Sequence, residues 1–139
     1  MTNKEFLQKP MRIQKRIDAL ILQKQSFEEL ANSIPGGNYD QPVVQKTRSQ
    51  QAPFIKWIDK IMEVEKKIDE LTVEYEKSKE EVLAAIYELS NPDYQNILIM
   101  RYLNDYSWQT ICTKMYVSLT TAKRWHWDAL NSIKINVGP

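Results

Sequence analysis

The sequence contains few of the residues that build covalent or metal-bound frameworks. Cys112 is the one cysteine and His126 the one histidine in 139 residues. A single cysteine excludes an internal disulfide and is typical of a protein kept in a reducing compartment. One cysteine and one histidine do not make a plausible zinc site, so we expect no metal.

Long apolar runs are also absent. No stretch approaches the roughly 18 consecutive apolar residues that a membrane-spanning helix requires. The opening residues, MTNKEFLQKP, lack the apolar core of a signal peptide. We therefore expect a cytoplasmic protein without a membrane partner.

Motifs of catalysis and cofactor binding are scarce. Pro35-Gly36-Gly37 lacks the lysine and serine that complete a phosphate-binding loop. Acidic pairs such as Glu80-Glu81 lie in a charged helical stretch with lysines nearby. We expect no cofactor, and we expect the protein not to be an enzyme.

A large net charge is missing too. The formal charge is +1 at pH 7, and two mildly basic ends, residues 1–52 and 91–139, flank an acidic middle, residues 53–90. Such a split places any contact with a polyanion at the ends of the chain. Its magnitude is small, so charge alone does not establish DNA binding.

Glycine is rare, with three residues of which two are adjacent, and this favours an all-α protein. The first predicted helix runs from about Pro10 to Ile34, where apolar residues recur at steps of four and three around Lys24. Pro10 suits the first turn of that helix, and a short helical turn around Lys4–Leu7 precedes it. A loop of about residues 35–53, with three prolines and two glycines, follows.

A second, longer helix is predicted from Pro53 to Leu89. Its apolar positions form a narrow heptad seam in which Ser78 is the one polar residue. The first helix folds back antiparallel as a hairpin or coiled coil but is shorter, so part of the seam remains for a second copy. We therefore expect a homodimer. The predicted oligomerisation residues are apolar members of the seam, namely Trp57, Ile61, Val64, Ile68, Leu71, Tyr75 and Val82.

The last third, residues 91–139, is predicted to be a separate domain from the hairpin of residues 1–90. Asn91 and Pro92 are an N-cap and a first-turn proline, and Asn104-Asp105-Tyr106 is a break. Ser107 then caps a short helix, Trp108 to about Met115. After a turn, Ser118 caps a final helix from Leu119 to about Ile133. A short helix, a tight turn and a longer capped helix are the helix-turn-helix pattern of DNA-binding domains.

The final helix has two different faces at 100° per residue. One face is apolar and packs inwards: Ala122, Trp125, Ala129 and Ile133. The other face carries groups that donate to phosphates and base edges. We predict DNA contacts at its exposed residues and at two hydroxyls near its N-terminus, where an anion is favoured. They are Ser118, Thr120, Thr121, Lys123, Arg124 and Trp127.

Some of these residues have ordinary structural alternatives. The polar face of a surface helix is often only solvated, and Trp127 could equally pack on a partner chain or on the edge of the core. His126 lies at the edge of the apolar face and is expected to be a hydrogen-bonded structural histidine. Cys112 is expected to belong to the core.

The stretch YSWQTICTKMYVSLTTAKRWHWDAL, Tyr106 to Leu130, resembles phage late-transcription regulators of the ArpU/RinA type, whose C-terminal domain is similar to region four of bacterial sigma factors. The upstream match is to a Pro-x-Tyr…Leu-x-x-Arg-Tyr segment. The matching residues are Pro92, Tyr94, Leu98, Arg101, Tyr102, Tyr106, Ser107, Trp108, Ile111, Ser118, Thr121, Arg124, His126, Ala129 and Leu130. The resemblance implies a DNA-binding regulator of late phage genes, acting in a bacterial host through contact with its RNA polymerase.

The chain departs from that family at two positions. Leu119 and Thr120 stand where the family tends to carry two arginines that, in sigma factors, face promoter bases. Without these two arginines, the helix lacks two side chains that donate bidentately to guanine. The alternatives are that it reads thymine methyl groups, recognises a different DNA site or binds DNA weakly. Tyr116 also occupies a turn position where glycine or asparagine is easier.

Three functions stay open from the sequence. The first is a dimeric, phage-type transcription activator that binds double-stranded DNA through two recognition helices. The second is a DNA-packaging recognition protein, similar to a small terminase subunit, in which the helical hairpins form a ring. The third is a protein-interaction module that targets polymerase or a repressor without binding DNA.

Overall fold

The computed structural model describes the backbone of residues 1–33 and 48–135, with side chains for residues 1–33 and 53–135. Within these ranges the protein is all-α and has no strand, which confirms the predicted fold class. A π-helical segment, Ile99–Leu103, joins two of the α-helices. The α-helices are α1 Asn3–Asn32, α2 Arg48–Tyr87, α3 Pro92–Leu98, α4 Trp108–Met115 and α5 Leu119–Ser132.

The first two helices begin earlier than the sequence predicts. α1 begins at Asn3, so Pro10 lies inside the helix rather than in its first turn. α2 begins at Arg48, so Pro53 also lies inside a helix and the last residues of the predicted loop are helical. A proline inside a helix loses one backbone hydrogen bond. At Pro10 a fully buried side chain offsets that loss. The rest of the predicted loop, residues 35–47, falls outside the described residues, as does Ile34, the predicted end of the first helix.

The described residues divide into two compact units. We call Lys15–Val73 the hairpin unit, and Met1–Gln14 together with Glu74–Pro139 the terminal unit. The terminal unit is therefore larger than the predicted domain of residues 91–139, because it includes the start of α1 and the end of α2. Both helices of the predicted hairpin contribute to both units.

In the hairpin unit, α1 and α2 pack antiparallel. The ring of Phe27 stacks on Trp57 with a centroid separation of 5.7 Å. Nearer the start of α1, Lys24 Nζ lies 3.2 Å from Glu65 Oε1, which is farther along α2. Lys24 also lies 3.8 Å from Glu28 Oε1 on its own helix. The residue that interrupts the apolar pattern of α1 thus forms ion pairs beside the seam.

Most of the α2 seam residues predicted for oligomerisation are buried within one chain and the others are half-buried, so their role in a dimer stays a prediction. Ile61, Val64, Leu71 and Val82 are buried, and Trp57, Ile68 and Tyr75 are half-buried. Val82 packs in one cluster with Phe6 and Leu7, from turns of α1 that precede Pro10. Because α1 is longer than expected, it covers seam that was assigned to a second copy.

The core of the terminal unit joins the start of α1, the end of α2 and all later helices. Ser78, the polar residue of the seam, is also buried here. Cys112 is partly buried and packs against this core, as predicted. The buried core residues are Phe6, Leu7, Val82, Ala85, Ile86, Ile97, Leu98, Tyr102, Ile111, Ala122, Ala129, Leu130 and Ile133.

Asn91, Ser107 and Ser118 cap α3, α4 and α5 as the sequence predicts. Asn91 accepts a hydrogen bond from the backbone N–H of Asp93, at 2.9 Å, and Pro92 begins α3. Ser107 accepts from the N–H of Thr110 at the start of α4, at 3.2 Å. These bonds satisfy amides that would otherwise lack partners, so they fix where each helix begins.

The π-helical segment was not predicted. The N–H of Asn104 donates to the carbonyl of Ile99, five residues back, at 3.0 Å. Such a widened turn inserts a residue into the helix and changes the direction of the side chains that follow. The break itself lies where predicted, and Asp105 ends it with a φ of 55°.

Candidate nucleic-acid interface

The two helices of the predicted helix-turn-helix motif are joined by a tight turn at Tyr116. Tyr116 has φ 58° and ψ 41°, in the left-handed region, and its N–H donates to the carbonyl of Cys112. This conformation costs roughly 1–2 kcal/mol for a residue with a Cβ atom. The Tyr116 side chain is 94% exposed. Packing of the ring therefore does not offset the backbone cost.

The inner face of α5 is buried as the angular pattern predicts. Ala122, Ala129 and Ile133 are buried, and Trp125 packs against the core from its edge. The small side chain of Ala122 leaves room for the helices packed against it. The burial of this face fixes which side of α5 points to solvent.

The outer face of α5 is exposed and cationic. Thr120, Lys123, Arg124 and Asn131 are exposed, and Trp127 is 62% exposed. Within the described part of the chain, Lys123 and Arg124 form no ion pair with a carboxylate. Their donors therefore point to solvent, where a phosphate or a base edge can accept from them.

Ser118 and Thr121, which the sequence predicts to contact a phosphate, bind each other. Ser118 Oγ accepts from the N–H of Thr121, at 3.2 Å, and donates to Thr121 Oγ1, at 3.1 Å. Ser118 is exposed and Thr121 is half-buried. The two hydroxyls thus act first as the N-terminal cap of α5.

His126 binds a side chain from the π-helical segment, so it is the hydrogen-bonded histidine that the sequence predicts. Its Nε2 lies 2.7 Å from Tyr102 Oη, and the two rings stack with centroids 5.6 Å apart. The imidazole and the ring of Trp108 in α4 pack edge to face, with their centroids 5.1 Å apart. This cluster, which we call the histidine lock, connects α5 with both preceding elements.

Arg101 contacts Trp108, one of the three residues of the histidine lock. Its guanidinium lies 4.8 Å above the ring of Trp108, and Nη1 donates to the carbonyl of Tyr106 at 3.0 Å. A cation over an indole face is attracted by the ring electrons. Arg101 therefore fixes Trp108 and the chain that leads into α4.

The charge state of the lock is set by burial and by nearby cations. Burial lowers the pKa of His126, and the positive charges of Arg101 and Lys4 lower it further. Burial raises the pKa of Tyr102, although Arg101 opposes this effect. Both rings are therefore neutral at pH 7, and one proton lies in the hydrogen bond between them.

Two further contacts fasten α5, and sequence reasoning missed both. Asn3 Nδ2 donates to the carbonyl of Leu130 at 2.9 Å and to that of Ile133 at 3.1 Å. Tyr94 Oη donates to Asp128 Oδ2 at 3.4 Å. The partners of Asn3 lie far away in the sequence, so no local pattern could have revealed that contact.

Leu119 was not assigned to the predicted site, yet it lies at the start of the exposed face. Its side chain is 48% exposed in the first turn of α5, next to Thr120. Tyr116 precedes it in the turn. The signal was present in the sequence, since both positions depart from the residues expected there.

The described residues contain no candidate metal site and no candidate membrane span. Among them, no group of histidine, cysteine, aspartate and glutamate side chains is arranged to hold a metal ion. None of the helices in the described ranges has a stretch that is long and apolar enough to cross a membrane.

Comparison with known proteins identifies a family for this arrangement. No curated protein and no solved structure matches the chain. One family matches residues 46–134, more than half of the chain, and this range includes α2 to α5 as well as the exposed face of α5. The chain therefore belongs to the family described as "Protein of unknown function (DUF1492)".

Proposed function

We propose that the protein is a sequence-specific DNA-binding regulator of transcription. The observation that carries this proposal is the exposed face of α5. Lys123 and Arg124 project from a helix whose opposite face is buried and whose start is capped after a tight turn. That combination is how helix-turn-helix proteins present a recognition helix to the major groove.

The contacts follow from the chemistry of the exposed side chains. Arg124 has a planar guanidinium that can donate twice to a guanine, and Lys123 supplies a point charge for a phosphate. Trp127 lies one turn later, where its indole stacks on backbone sugars. The hydroxyls of Ser118 and Thr121 lie at the N-terminus of α5, where they bind each other. A phosphate oxygen can accept a further hydrogen bond at this end of the helix.

The resemblance to phage late-transcription regulators supports the finer part of the proposal. It assigns the protein to late phage or prophage genes, in the cytoplasm of a bacterial host, with the host RNA polymerase as a partner. The residues that carry the resemblance include His126, Trp108 and Tyr102, which form the histidine lock. These three family-like residues therefore belong to the scaffold that positions α5.

A homodimer completes the proposal, because one recognition helix with two cations makes few specific contacts. Ile61, Val64, Leu71 and Val82 of the α2 seam are buried within the chain, which leaves the half-buried Trp57, Ile68 and Tyr75 for contact with a second copy. Leu22 and Met62 of the hairpin unit remain exposed. A molecular mass of one chain in solution scattering at micromolar concentration would count against the dimer, and the mass of a larger ring would favour the packaging function.

The proposed function is tested by binding of the full chain to duplexes selected from random DNA. We expect an enriched sequence whose binding constant falls steadily as salt is raised, because bound phosphates release counterions. Arg124→Ala should weaken binding to the enriched duplex far more than to random DNA. Arg16→Ala removes the same charge from an exposed position of α1 and is the matched control.

A second candidate is a protein-interaction module, favoured by the exposed aromatic side chains beside the cations. The side chains of Tyr116 and Trp127 are 94% and 62% exposed. Aromatic residues and arginine are enriched at protein interfaces. Equal loss of binding to all DNA in Arg124→Ala would reduce that residue to a phosphate contact. Absence of any salt-dependent DNA binding would replace the first function with the second.

A further inference from the structure

The side chains in the first turn of α5 present methyl groups, and none of them carries an amide or a guanidinium group. Its residues are Leu119, Thr120 and Thr121, preceded by the cap Ser118. Lys123 is the first long donor along the helix. The bidentate readers of bases are arginine or lysine for guanine and asparagine or glutamine for adenine. None of these residue types stands in this turn.

The hydroxyls of the turn are already occupied in part. Ser118 and Thr121 bind each other through the N-terminal cap. The exposed groups that remain are the isobutyl side chain of Leu119 and the methyl and hydroxyl of Thr120. Leu119 is 48% exposed, so a ligand that covers it gains the free energy of removing apolar surface from water.

The N-terminal residues of a recognition helix are those that meet base edges in the major groove. In unmodified DNA, thymine is the base that presents a methyl group there. We propose that Leu119 and Thr120 read thymine C5-methyl groups, and that the DNA site of this protein contains thymine where the first turn of α5 enters the groove. This inference rests on the proposed function and names the bases that it requires.

The test removes single methyl groups from the DNA, and it shortens the apolar parts of the Leu119 and Thr120 side chains on the protein. The probe is an enriched duplex in which each thymine in turn is replaced by deoxyuridine, which lacks the C5-methyl. We expect one or two replacements to weaken binding of the full chain by roughly fourfold, the effect of one buried methyl group. In Thr120→Ser or Leu119→Ala, the replacement at the matching position should have no further effect.

Two matched variants control for general effects. Thr113→Ser makes the same change at an exposed position of α4, and Leu22→Ala makes the leucine change in the hairpin unit. Both should keep the full sensitivity to deoxyuridine. Because Leu119 and Thr120 are exposed, their variants should unfold at the temperature of the parent chain, which confirms that any loss is local.

The outcomes separate this inference from the proposed function. Binding to an enriched duplex that ignores every thymine-to-deoxyuridine change overturns methyl reading and leaves DNA recognition intact. Full sensitivity at every responsive thymine in both the Leu119→Ala and Thr120→Ser variants also overturns it, because other residues would then read the methyl groups. Failure to enrich any duplex overturns the proposed function and the inference together.

Discussion

The hairpin unit and the terminal unit obtain their order in different ways. The hairpin unit packs two long helices along a repeating seam, with a stacked Phe27–Trp57 pair and a Lys24–Glu65 ion pair beside it. The terminal unit joins several short elements, and single hydrogen bonds such as Tyr102–His126 connect them. A repeating seam specifies that helices pair, whereas individual bonds specify where one particular helix lies.

The difference shows which unit fixes the position of α5 and of its exposed cations. The exposed cations of α5 lie in the unit that is held by long-range side-chain bonds, with Asn3 at one end of the helix and Tyr102 nearer its middle. In the proposed function α5 is a recognition helix, and its position must be accurate because its side chains have to reach particular base edges.

The largest expected effect breaks the core of the terminal unit. Ile111 is fully buried, so Ile111→Ala should lower the free energy of unfolding by about 3 kcal/mol, measured by denaturant titration. Met62→Ala, at an exposed position of the hairpin unit, should change it by less than about 0.5 kcal/mol. A comparable loss in both variants would mean that Met62 is covered in solution, as in a dimer.

A smaller effect is expected when the hydrogen bond between Tyr102 and His126 is removed. Tyr102→Phe removes the hydroxyl that binds His126 and leaves the imidazole nitrogen without its partner. We expect a loss of about 1–2 kcal/mol in the free energy of unfolding. DNA binding should weaken as well, because α5 loses a link to the π-helical segment. A stability equal to that of the parent chain would show that stacking alone holds the ring.

The histidine lock also predicts a pH dependence that the hairpin unit should lack. Because folding lowers the pKa of His126, the unfolded chain binds more protons than the folded chain once the pH falls below about 6.5. Stability is therefore complete above that pH and decreases as the pH falls towards the folded-state pKa. Thermal unfolding between pH 7.5 and 5.5 measures this, in roughly the range where histidine titrates.

The control for this pH dependence is a single substitution. His126 is the one histidine of the chain, so His126→Gln should remove the decrease between these pH values. Carboxylates titrate lower, near pH 4, and contribute little in this window. A variant that retains the full slope would show that another group is responsible.

The turn at Tyr116 offers a stabilising change. Tyr116→Gly should raise the free energy of unfolding by about 1 kcal/mol, because glycine adopts a positive φ without steric cost. Tyr116→Ala removes the exposed ring but keeps the Cβ atom, so it should leave stability nearly unchanged. The difference between the two variants in thermal unfolding isolates the backbone cost.

The smallest effect is expected in the hairpin unit. Lys24→Ala removes the ion pairs with Glu65 and Glu28, but all three side chains are at least one-third exposed. Exposed pairs contribute little, so we expect a loss of less than about 1 kcal/mol that decreases further in high salt. A larger loss would make the polar contact, rather than the apolar seam, the main determinant of pairing.

The sequence predicted the local features of the terminal unit well. Asn91, Ser107 and Ser118 cap their helices, because a capping side chain binds amides only two or three residues away. The inward and outward faces of α5 follow from helical periodicity, which needs no knowledge of the rest of the chain. Local chemistry of this kind can be read directly from the order of residues.

Features that depend on distant partners could not be predicted. The tie from Asn3 to Leu130 joins opposite ends of the chain, and the π-helical turn has no residue signature of its own. The prolines were misleading, since Pro10 and Pro53 both lie inside helices. At Pro10 tertiary packing offsets the lost hydrogen bond, and local propensity does not include that compensation.

The contribution of α1 to the terminal unit has a practical consequence for fragments of this family. The family match covers residues 46–134 and omits Phe6 and Leu7, which share a core cluster with Val82 and Ile86. A fragment cut at those bounds would retain α5 but expose apolar surface of α2 to water. Such a fragment should aggregate on expression, and including the first fourteen residues of the chain, in cis or as a separate peptide, should restore its solubility.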